Sequence, residues 1–331
     1  MVASRRGRLA SLDVPALVER ARAGDARAVA RLISLVEDAS PLLREVMAGL
    51  GRAAAERTDG GAHIVGITGS PGVGKSTSTN ALVGALRKQG KRVGVLAVDP
   101  SSPFSGGALL GDRIRMQDHA LDRDVYIRSM ASRGHLGGLS WAAPQALRVL
   151  DAAGCDVILV ETVGVGQSEV EVASLADTTL VLLAPGMGDG IQAAKAGILE
   201  VGDVYVINKA DRDGADQVRR ELRSMLALAE RPEGAWRPEI VKTVAMTGEG
   251  VDDVVAALDA HRAHLVDSGQ LQARRVRRAR EEIEAIAVTS LRERWGDVHA
   301  RTELDDLALR VVAGTSDPYA AADELLATYT D

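Results

Sequence analysis

One eight-residue run constrains the fold of this chain more than any other feature. Residues 69–76, GSPGVGKS, match the pattern G-x-x-x-x-G-K-[ST] without exception. An apolar run, HIVGIT at 63–68, precedes it, and a helical pattern over 76–89 follows it. In such a strand, loop and helix, glycines let backbone N–H groups turn toward phosphate oxygens, and the helix N-terminus presents its positive dipole end. The run therefore predicts a P-loop that binds a nucleoside triphosphate.

The residues of this loop have separate predicted roles. Lys75 should bridge the β- and γ-phosphates, and the Ser76 hydroxyl should ligate Mg²⁺. The other predicted phosphate-binding residues are Gly69, Ser70, Pro71, Gly72, Val73 and Gly74.

Further short apolar runs predict the rest of the sheet. They lie at 92–98, 156–161, 178–184 and 204–208, with one more candidate at 239–243. Strands that are apolar at successive positions are buried on both faces, as in parallel sheets covered by helices. The predicted fold is α/β: a P-loop NTPase with a mainly parallel sheet flanked by helices, an N-terminal helical extension and a C-terminal helical arm.

The predicted domain boundaries follow from these zones. Residues 1–58 read as helices, with Asp13 and Ser40-Pro41 as helix-start signals. Residues 59–260 are predicted to form the P-loop domain, and residues 261–331 are predicted to form a helical dimerisation arm. In that arm Val276, Ala279, Ile283 and Ile286 follow an a/d-like spacing that suits packing on a second copy.

Composition excludes several classes of function. The chain has 331 residues, a formal net charge of −6, and only one Phe, three Trp and four Tyr. Neither a polyanion-binding surface nor aromatic platforms for nucleic acid are expected. The single cysteine, Cys155, and the absence of a long apolar run predict a cytoplasmic protein with no membrane span.

His261 and His264 are predicted to be solvated on an exposed helix.

A second motif predicts which base is bound. Residues 208–211, Asn-Lys-Ala-Asp, directly follow an apolar strand. The Asp211 carboxylate can accept hydrogen bonds from guanine N1–H and the exocyclic amine, a donor pair that adenine lacks. Asn208, Lys209 and Asp211 are therefore predicted to read guanine. Residues 244–246 are predicted to end a further strand, where the Ala245 N–H contacts the guanine carbonyl, flanked by Val244 and Met246.

Three acidic residues are candidates for the metal and the attacking water. Asp99 and Glu161 end predicted strands, and Asp112 lies in a glycine-rich segment. Strand carboxyl ends converge on the ligand crevice of an open α/β sheet, so these side chains could share one metal shell with Ser76. Lys75, Asp99 and Glu161 are the predicted catalytic residues, and whether Asp99 or Glu161 positions the water stays open. Each acid could instead serve as a helix N-cap.

Several longer motifs resemble one family. They are GSPGVGKST (69–77), AVDPSS (97–102), GDRIRM (111–116), RSMASRGHLGGLS (128–140), ETVGVGQSE (161–169), GMGDGIQAAKAG (186–197) and NKAD (208–211). Together they resemble the methylmalonyl-CoA mutase-associated GTPases, the G-protein chaperones of adenosylcobalamin enzymes. The resemblance covers nearly the whole chain.

The resemblance implies a homodimeric GTPase that binds GTP, GDP and Mg²⁺. It implies that the partner is an adenosylcobalamin-dependent acyl-CoA mutase, with methylmalonyl-CoA mutase favoured, and that cofactor loading and protection are the task. Thr77 joins the phosphate-binding residues by this match. The residues implied to couple nucleotide state to the partner are Gly164, Gln167, Asp189, Gln192 and Lys195. One departure is Val244, where many relatives have serine.

Three other functions remain open at this point. An ATP-dependent kinase of an amino-acid transport system is disfavoured by the guanine motif. A metallochaperone-type GTPase would be expected to carry Cys/His clusters, which this sequence lacks. A dimer that binds nucleotide without hydrolysing it is the third alternative.

Overall fold

The structure is a computed structural model that describes most of the chain. Its described ranges are 12–58, 60–100, 119, 121–132, 142–162, 168–186, 200–228, 232–295 and 302–327. For residues 99, 100, 131, 132, 168–171, 292–295 and 302 it describes the backbone alone. In the part of the chain that the structure describes, no helix is long and apolar enough to cross a bilayer.

The described strands form one parallel sheet. Their bounds are β1 His63–Thr68, β2 Val93–Pro100, β3 Val125–Ser132, β4 Val157–Thr162, β5 Thr178–Leu183, β6 Val204–Ile207 and β7 Glu239–Lys242. The spatial order is β3-β2-β4-β1-β5-β6-β7, and each neighbouring pair is parallel. The predicted α/β fold with a parallel sheet is confirmed.

Helices precede, connect and follow these strands. Their bounds are α1 Val14–Arg22, α2 Ala26–Glu37, α3 Leu43–Ala55, α4 Lys75–Lys88, α5 Ala143–Ala152, α6 Ser168–Leu175, α7 Ala215–Leu228, α8 Val251–Asp267, α9 Gln270–Trp295, α10 Thr302–Val312 and α11 Pro318–Ala327. Those that pack on the sheet cover both of its faces. Apolar residues of α1, α2, α3 and α5 share a core with one face, while α4 and α8 pack on the other.

The structure corrects the strand predictions at two places. β3 was not predicted from the sequence, because polar Arg128 and Ser129 interrupt its apolar pattern. It forms as an edge strand through its register with β2, in which Val93 lies opposite Val125. The predicted strand ending at residues 244–246 is wrong: β7 ends at Lys242, and the chain then turns.

One of the two predicted helix starts in the N-terminal region is confirmed. Asp13 caps α1 by accepting a hydrogen bond from the Ala16 N–H at 2.9 Å. The Ser40-Pro41 prediction holds in part: the Ser40 hydroxyl accepts a hydrogen bond from the Leu42 N–H at 3.3 Å, but the regular helix α3 begins only at Leu43. The Ser40 carbonyl also accepts from the Leu43 N–H at 2.8 Å, in the turn that leads into the helix.

Contacts divide the chain into two compact units. The first comprises residues 1–274 and the second residues 275–331. In the second unit, Arg310 and Glu324 form a bidentate ion pair between α10 and α11, with N–O distances of 2.8 and 2.9 Å. Leu307 and Ala321 are the buried apolar side chains of its described part.

A buried polar network lies at the amino end of the sheet, away from the P-loop. Thr178 Oγ1 is 2.7 Å from His63 Nε2 and 2.8 Å from His261 Nδ1. The second ring nitrogen of His261 lies 3.3 Å from Asp203 Oδ1. Arg274 donates to both carboxylate oxygens of Asp203 at 2.9 Å. The prediction that His261 is solvated is therefore wrong, because its side chain is fully buried.

Burial also keeps both histidines neutral. It lowers the pKa of His63 to about 3 and that of His261 to about 4. An unfolded histidine has a pKa of about 6.5, so the unfolded chain takes up protons first as the pH falls. The contribution of these two histidines to the free energy of unfolding is therefore fully present above about pH 6.5. It is lost as the pH falls toward their folded-state pKa values.

Acidification should therefore destabilise the protein through these two groups. We expect each histidine to remove about 2 kcal/mol from the free energy of unfolding between pH 7 and pH 5. Urea unfolding at both pH values measures the loss. His261→Gln keeps hydrogen-bonding atoms but does not titrate in this range, so the variant should lose about 2 kcal/mol less than the wild type. An equal loss in both proteins would contradict this assignment.

Candidate functional site: a P-loop joined to a guanine motif

The P-loop is tightly packed between β1 and α4. Gly69 has a φ of 143°, and a Cβ there would lie 2.3 Å from the Leu182 carbonyl oxygen of β5. Gly74 has a φ of 96°, and a Cβ there would lie 2.5 Å from Asn208 Nδ2. Both positions combine left-handed backbone with close contact, so a side chain would displace the loop. The first and last glycines of the sequence motif are therefore required by the steric environment of the loop.

Lys75 places its ammonium group inside this loop. Lys75 is the first residue of α4 and is only 7% exposed. Its Nζ donates to the carbonyl oxygens of Gly69 at 2.5 Å and of Ser70 at 3.2 Å. The positive charge is therefore held where the loop can receive a phosphate group.

Ser76 and Glu161 meet at the start of α4, as the prediction requires. Ser76 Oγ donates to Glu161 Oε1 at 2.6 Å, and the Glu161 side chain is 4% exposed. Thr79, which the sequence analysis missed, lies 2.8 Å from the other carboxylate oxygen. The sequence could have indicated Thr79, because it lies three residues after Ser76 and therefore on the same face of the helix.

These oxygen atoms fit the chemistry of Mg²⁺. Magnesium binds hydroxyl and carboxylate oxygens together with substrate phosphates. Ser76 and Glu161 supply such oxygens beside the loop that holds Lys75. Asp99 lies next to the end of β2, with Ala131 opposite it in register, but only its backbone is described. Asp112 lies outside the described residues.

Asn208 connects the guanine motif to the P-loop. It follows β6 and is 3% exposed. Its Nδ2 donates to the Val73 carbonyl oxygen at 2.8 Å, and its Oδ1 accepts from the Ala245 N–H at 3.1 Å and the Thr243 hydroxyl at 3.3 Å. One side chain thus joins three loops at the carboxyl edge of the sheet.

Lys209 makes a second connection between the same motifs. Its Nζ donates to the Gly72 carbonyl oxygen at 2.6 Å, and its φ of 57° is unusual for a residue with a side chain. Left-handed backbone outside glycine costs of order 1 kcal/mol and persists where surrounding contacts enforce it. Backbone hydrogen bonds provide such contacts here: the Ala210 N–H donates to the Thr243 carbonyl and the Arg212 N–H donates to the Lys209 carbonyl, each at 3.0 Å.

The remaining guanine-motif residues lie around this junction. Asp211 is exposed in the turn after Ala210, and Met246 is 84% exposed. Val244 pairs with Glu249 across a short turn. The Ala245 N–H is bonded to Asn208 in this structure, and its contact with the guanine carbonyl stays a prediction. The residues predicted to couple nucleotide state to the partner lie outside the described residues: Gly164, Gln167, Asp189, Gln192 and Lys195. Thr77 lies in the first turn of α4 and is half-buried.

Comparison with known proteins identifies the family to which this chain belongs. Residues 29–299 match the family model described as the methylmalonyl-CoA mutase-associated GTPase MeaB. A putative GTPase of Pyrococcus abyssi is 47% identical over 312 residues, covering 94% of this chain and 95% of that protein. The mouse mitochondrial methylmalonic aciduria type A homolog is 37% identical over 269 residues, covering 80% of this chain and 65% of that protein.

A solved structure shares the fold over almost the full length. The crystal structure of an LAO/AO transport system kinase superposes with a TM-score of 0.73 at 28% identity, covering 96% of this chain and 98% of that one. The family match, the curated GTPases and the P-loop fold agree with one another, and the predicted family is confirmed. The chain belongs to the methylmalonyl-CoA mutase-associated GTPases, and it is a guanine-nucleotide-binding GTP hydrolase.

Proposed function

We propose that this GTPase is a chaperone of an adenosylcobalamin-dependent acyl-CoA mutase. It acts in the cytoplasm as a homodimer, and it assists assembly, cofactor loading and protection of methylmalonyl-CoA mutase. The family is associated with that mutase, and the mouse relative is named for methylmalonic aciduria. These links support this partner over a metal-delivery target or an amino-acid transport protein.

The structural observation that carries the proposal is the junction of the two nucleotide motifs. Asn208 binds the Val73 carbonyl and Lys209 binds the Gly72 carbonyl, so the guanine motif and the phosphate loop support each other. A base bound by Asp211 would therefore be coupled to the position of the phosphates. This coupling favours selective binding of guanine nucleotides, and the γ-phosphate that GTP alone carries is the group to which a switch responds.

Hydrolysis transfers the γ-phosphoryl group to water and yields GDP and inorganic phosphate. Catalysis of this kind depends on positioning and charge neutralisation. The Lys75 ammonium and the P-loop amides neutralise the phosphate oxygens, and Ser76 and Glu161 would hold Mg²⁺. When bound, that ion would supply positive charge that stabilises the negative charge on the phosphate oxygens. Glu161 or Asp99 would orient the attacking water or the waters of the bound ion.

The partner would be coupled through two segments that change with nucleotide state. We assign this role to Gly164 and Gln167 in one segment and to Asp189, Gln192 and Lys195 in the other. Glu161 lies three residues before Gly164 and touches Ser76, so a change at the γ-phosphate can reach the first segment. The second is rich in glycine, which favours alternative backbone conformations.

The arm helix supports the homodimer. On α9, Val276 is 57% exposed, Ile283 68% and Ile286 46%. A repeated apolar seam of this kind is stabilised when a second helix covers it. Because the seam belongs to every copy, a symmetric dimer buries it twice.

The partner proposal is tested with purified methylmalonyl-CoA mutase. We expect affinity capture of the mutase to differ between the GTP and GDP states, and we expect mutase to accelerate phosphate release from GTP by about tenfold or more. ATP replaces GTP in the control and should support neither effect. Failure of capture in both nucleotide states would refute the partner, while the GTPase itself would stand.

A further inference from the structure

Glu161 is bound by two hydroxyl groups of one helix. Ser76 Oγ lies 2.6 Å from Oε1, and Thr79 Oγ1 lies 2.8 Å from Oε2. Thr79 is fully buried, and Glu161 is almost so. Each carboxylate oxygen therefore has its own hydroxyl neighbour in a site with little access to water.

The Thr79 hydroxyl has one proton and two neighbouring acceptors. Its second neighbour is the Lys75 carbonyl oxygen at 3.0 Å, one turn earlier in α4. That carbonyl is already the acceptor of a backbone N–H in the regular helix. The carboxylate is closer and carries charge, and hydrogen bonds to ionised acceptors are stronger than those to neutral ones. Glu161 is therefore the preferred acceptor.

The two carboxylate oxygens consequently have different surroundings. Oε1 faces Ser76, the predicted magnesium ligand, whereas Oε2 faces Thr79. We propose that Thr79 is a positioning residue of the magnesium site: by holding Oε2 it directs Oε1 toward Ser76 and the coordination sphere of the metal. The inference rests on the proposed magnesium role of Ser76 and Glu161.

Substitutions on α4 separate this role from packing. Thr79→Val keeps the shape but removes the hydroxyl, and Thr79→Ser keeps the hydroxyl but removes a methyl group. Ser78→Ala is the matched control, because it deletes a buried hydroxyl from the same helix that has no hydrogen-bond partner among the described residues. A cooperative thermal unfolding transition in each variant is the check that it is folded.

The measurement is the magnesium dependence of nucleotide binding. Affinity for a non-hydrolysable GTP analogue is determined by calorimetry with EDTA and with saturating Mg²⁺. For Thr79→Val we expect the gain in affinity on adding Mg²⁺ to fall about tenfold, as for loss of one hydrogen bond to a charged group, with affinity in EDTA unchanged. Thr79→Ser and Ser78→Ala should match the wild type.

A double-substitution cycle tests whether Thr79 acts through Glu161. In a Glu161→Gln background, Thr79→Val should cause no further loss, since the carboxylate that it positions is gone. Equal losses in both backgrounds would overturn the proposal, as would a wild-type magnesium response in Thr79→Val when Glu161→Gln is impaired. If Glu161→Gln itself responds normally to Mg²⁺, the proposed metal site is wrong as well.

Discussion

Replacing Lys75 with alanine is expected to abolish productive GTP binding. The ammonium lies within hydrogen-bond distance of two P-loop carbonyl oxygens and is predicted to bind the β- and γ-phosphates. Hydrogen bonds to charged groups contribute about 1.5–3 kcal/mol each, so losing those to phosphate should weaken affinity by about 100-fold or more. Calorimetry with a non-hydrolysable GTP analogue measures the loss.

A matched lysine on the same helix provides the control for this experiment. Lys88 is the last residue of α4 and is exposed. Lys88→Ala removes the same charge from the far end of the helix, and we expect its affinity to stay within about twofold of the wild type. If Lys75→Ala also bound the analogue with wild-type affinity, the phosphate role of Lys75 would be refuted.

Replacing Asp211 with asparagine is expected to remove the preference for guanine. The carboxylate can accept from both N1–H and the exocyclic amine, whereas the asparagine amide presents a donor in place of one acceptor. We expect GTP affinity to fall by about 100-fold, because two hydrogen bonds to a charged group are weakened and polar atoms are left unpaired. Calorimetric titration with GTP measures this effect.

Xanthosine triphosphate makes the same substitution more diagnostic. Its base carries a carbonyl oxygen where guanine carries the amine, so the asparagine amide can donate to it. We expect Asp211→Asn to bind xanthosine triphosphate more tightly than the wild type does. Asp213→Asn, an exposed position in the same turn, is the control and should change neither affinity. Unchanged selectivity in Asp211→Asn would show that another group reads the base.

The central strands could be predicted because each carries a run of consecutive apolar residues. β1, β4 and β5 are buried at every position, and their polar residues lie only at the strand ends. β3 could not be recognised in this way, since an edge strand tolerates polar residues. There Arg128 forms an ion pair with Glu37 of α2. Contacts with β2 and with α2, which are distant along the chain, therefore place Arg128 in the sheet.

The same limit applies to local signals that other contacts override. Ser40-Pro41 has the composition of a helix start, yet α3 begins later. His261 lies in a charged region of the sequence, yet Thr178 and Asp203 enclose its ring. The burial of His261 cannot be read from its neighbours in sequence, because Thr178 and Asp203 are distant along the chain.

The amino-acid sequence by itself determined the nucleotide chemistry of this protein. The phosphate loop and the guanine motif each depend on residue types at short, fixed spacings, so both can be read without a structure. Only the tertiary structure decided how they act together. Asn208 meets Val73 across 135 residues, and Glu161 meets Ser76 across 85 and Thr79 across 82. Such contacts arise because parallel strands bring their carboxyl ends to one edge of the sheet, and the sequence pattern contains no measure of those distances.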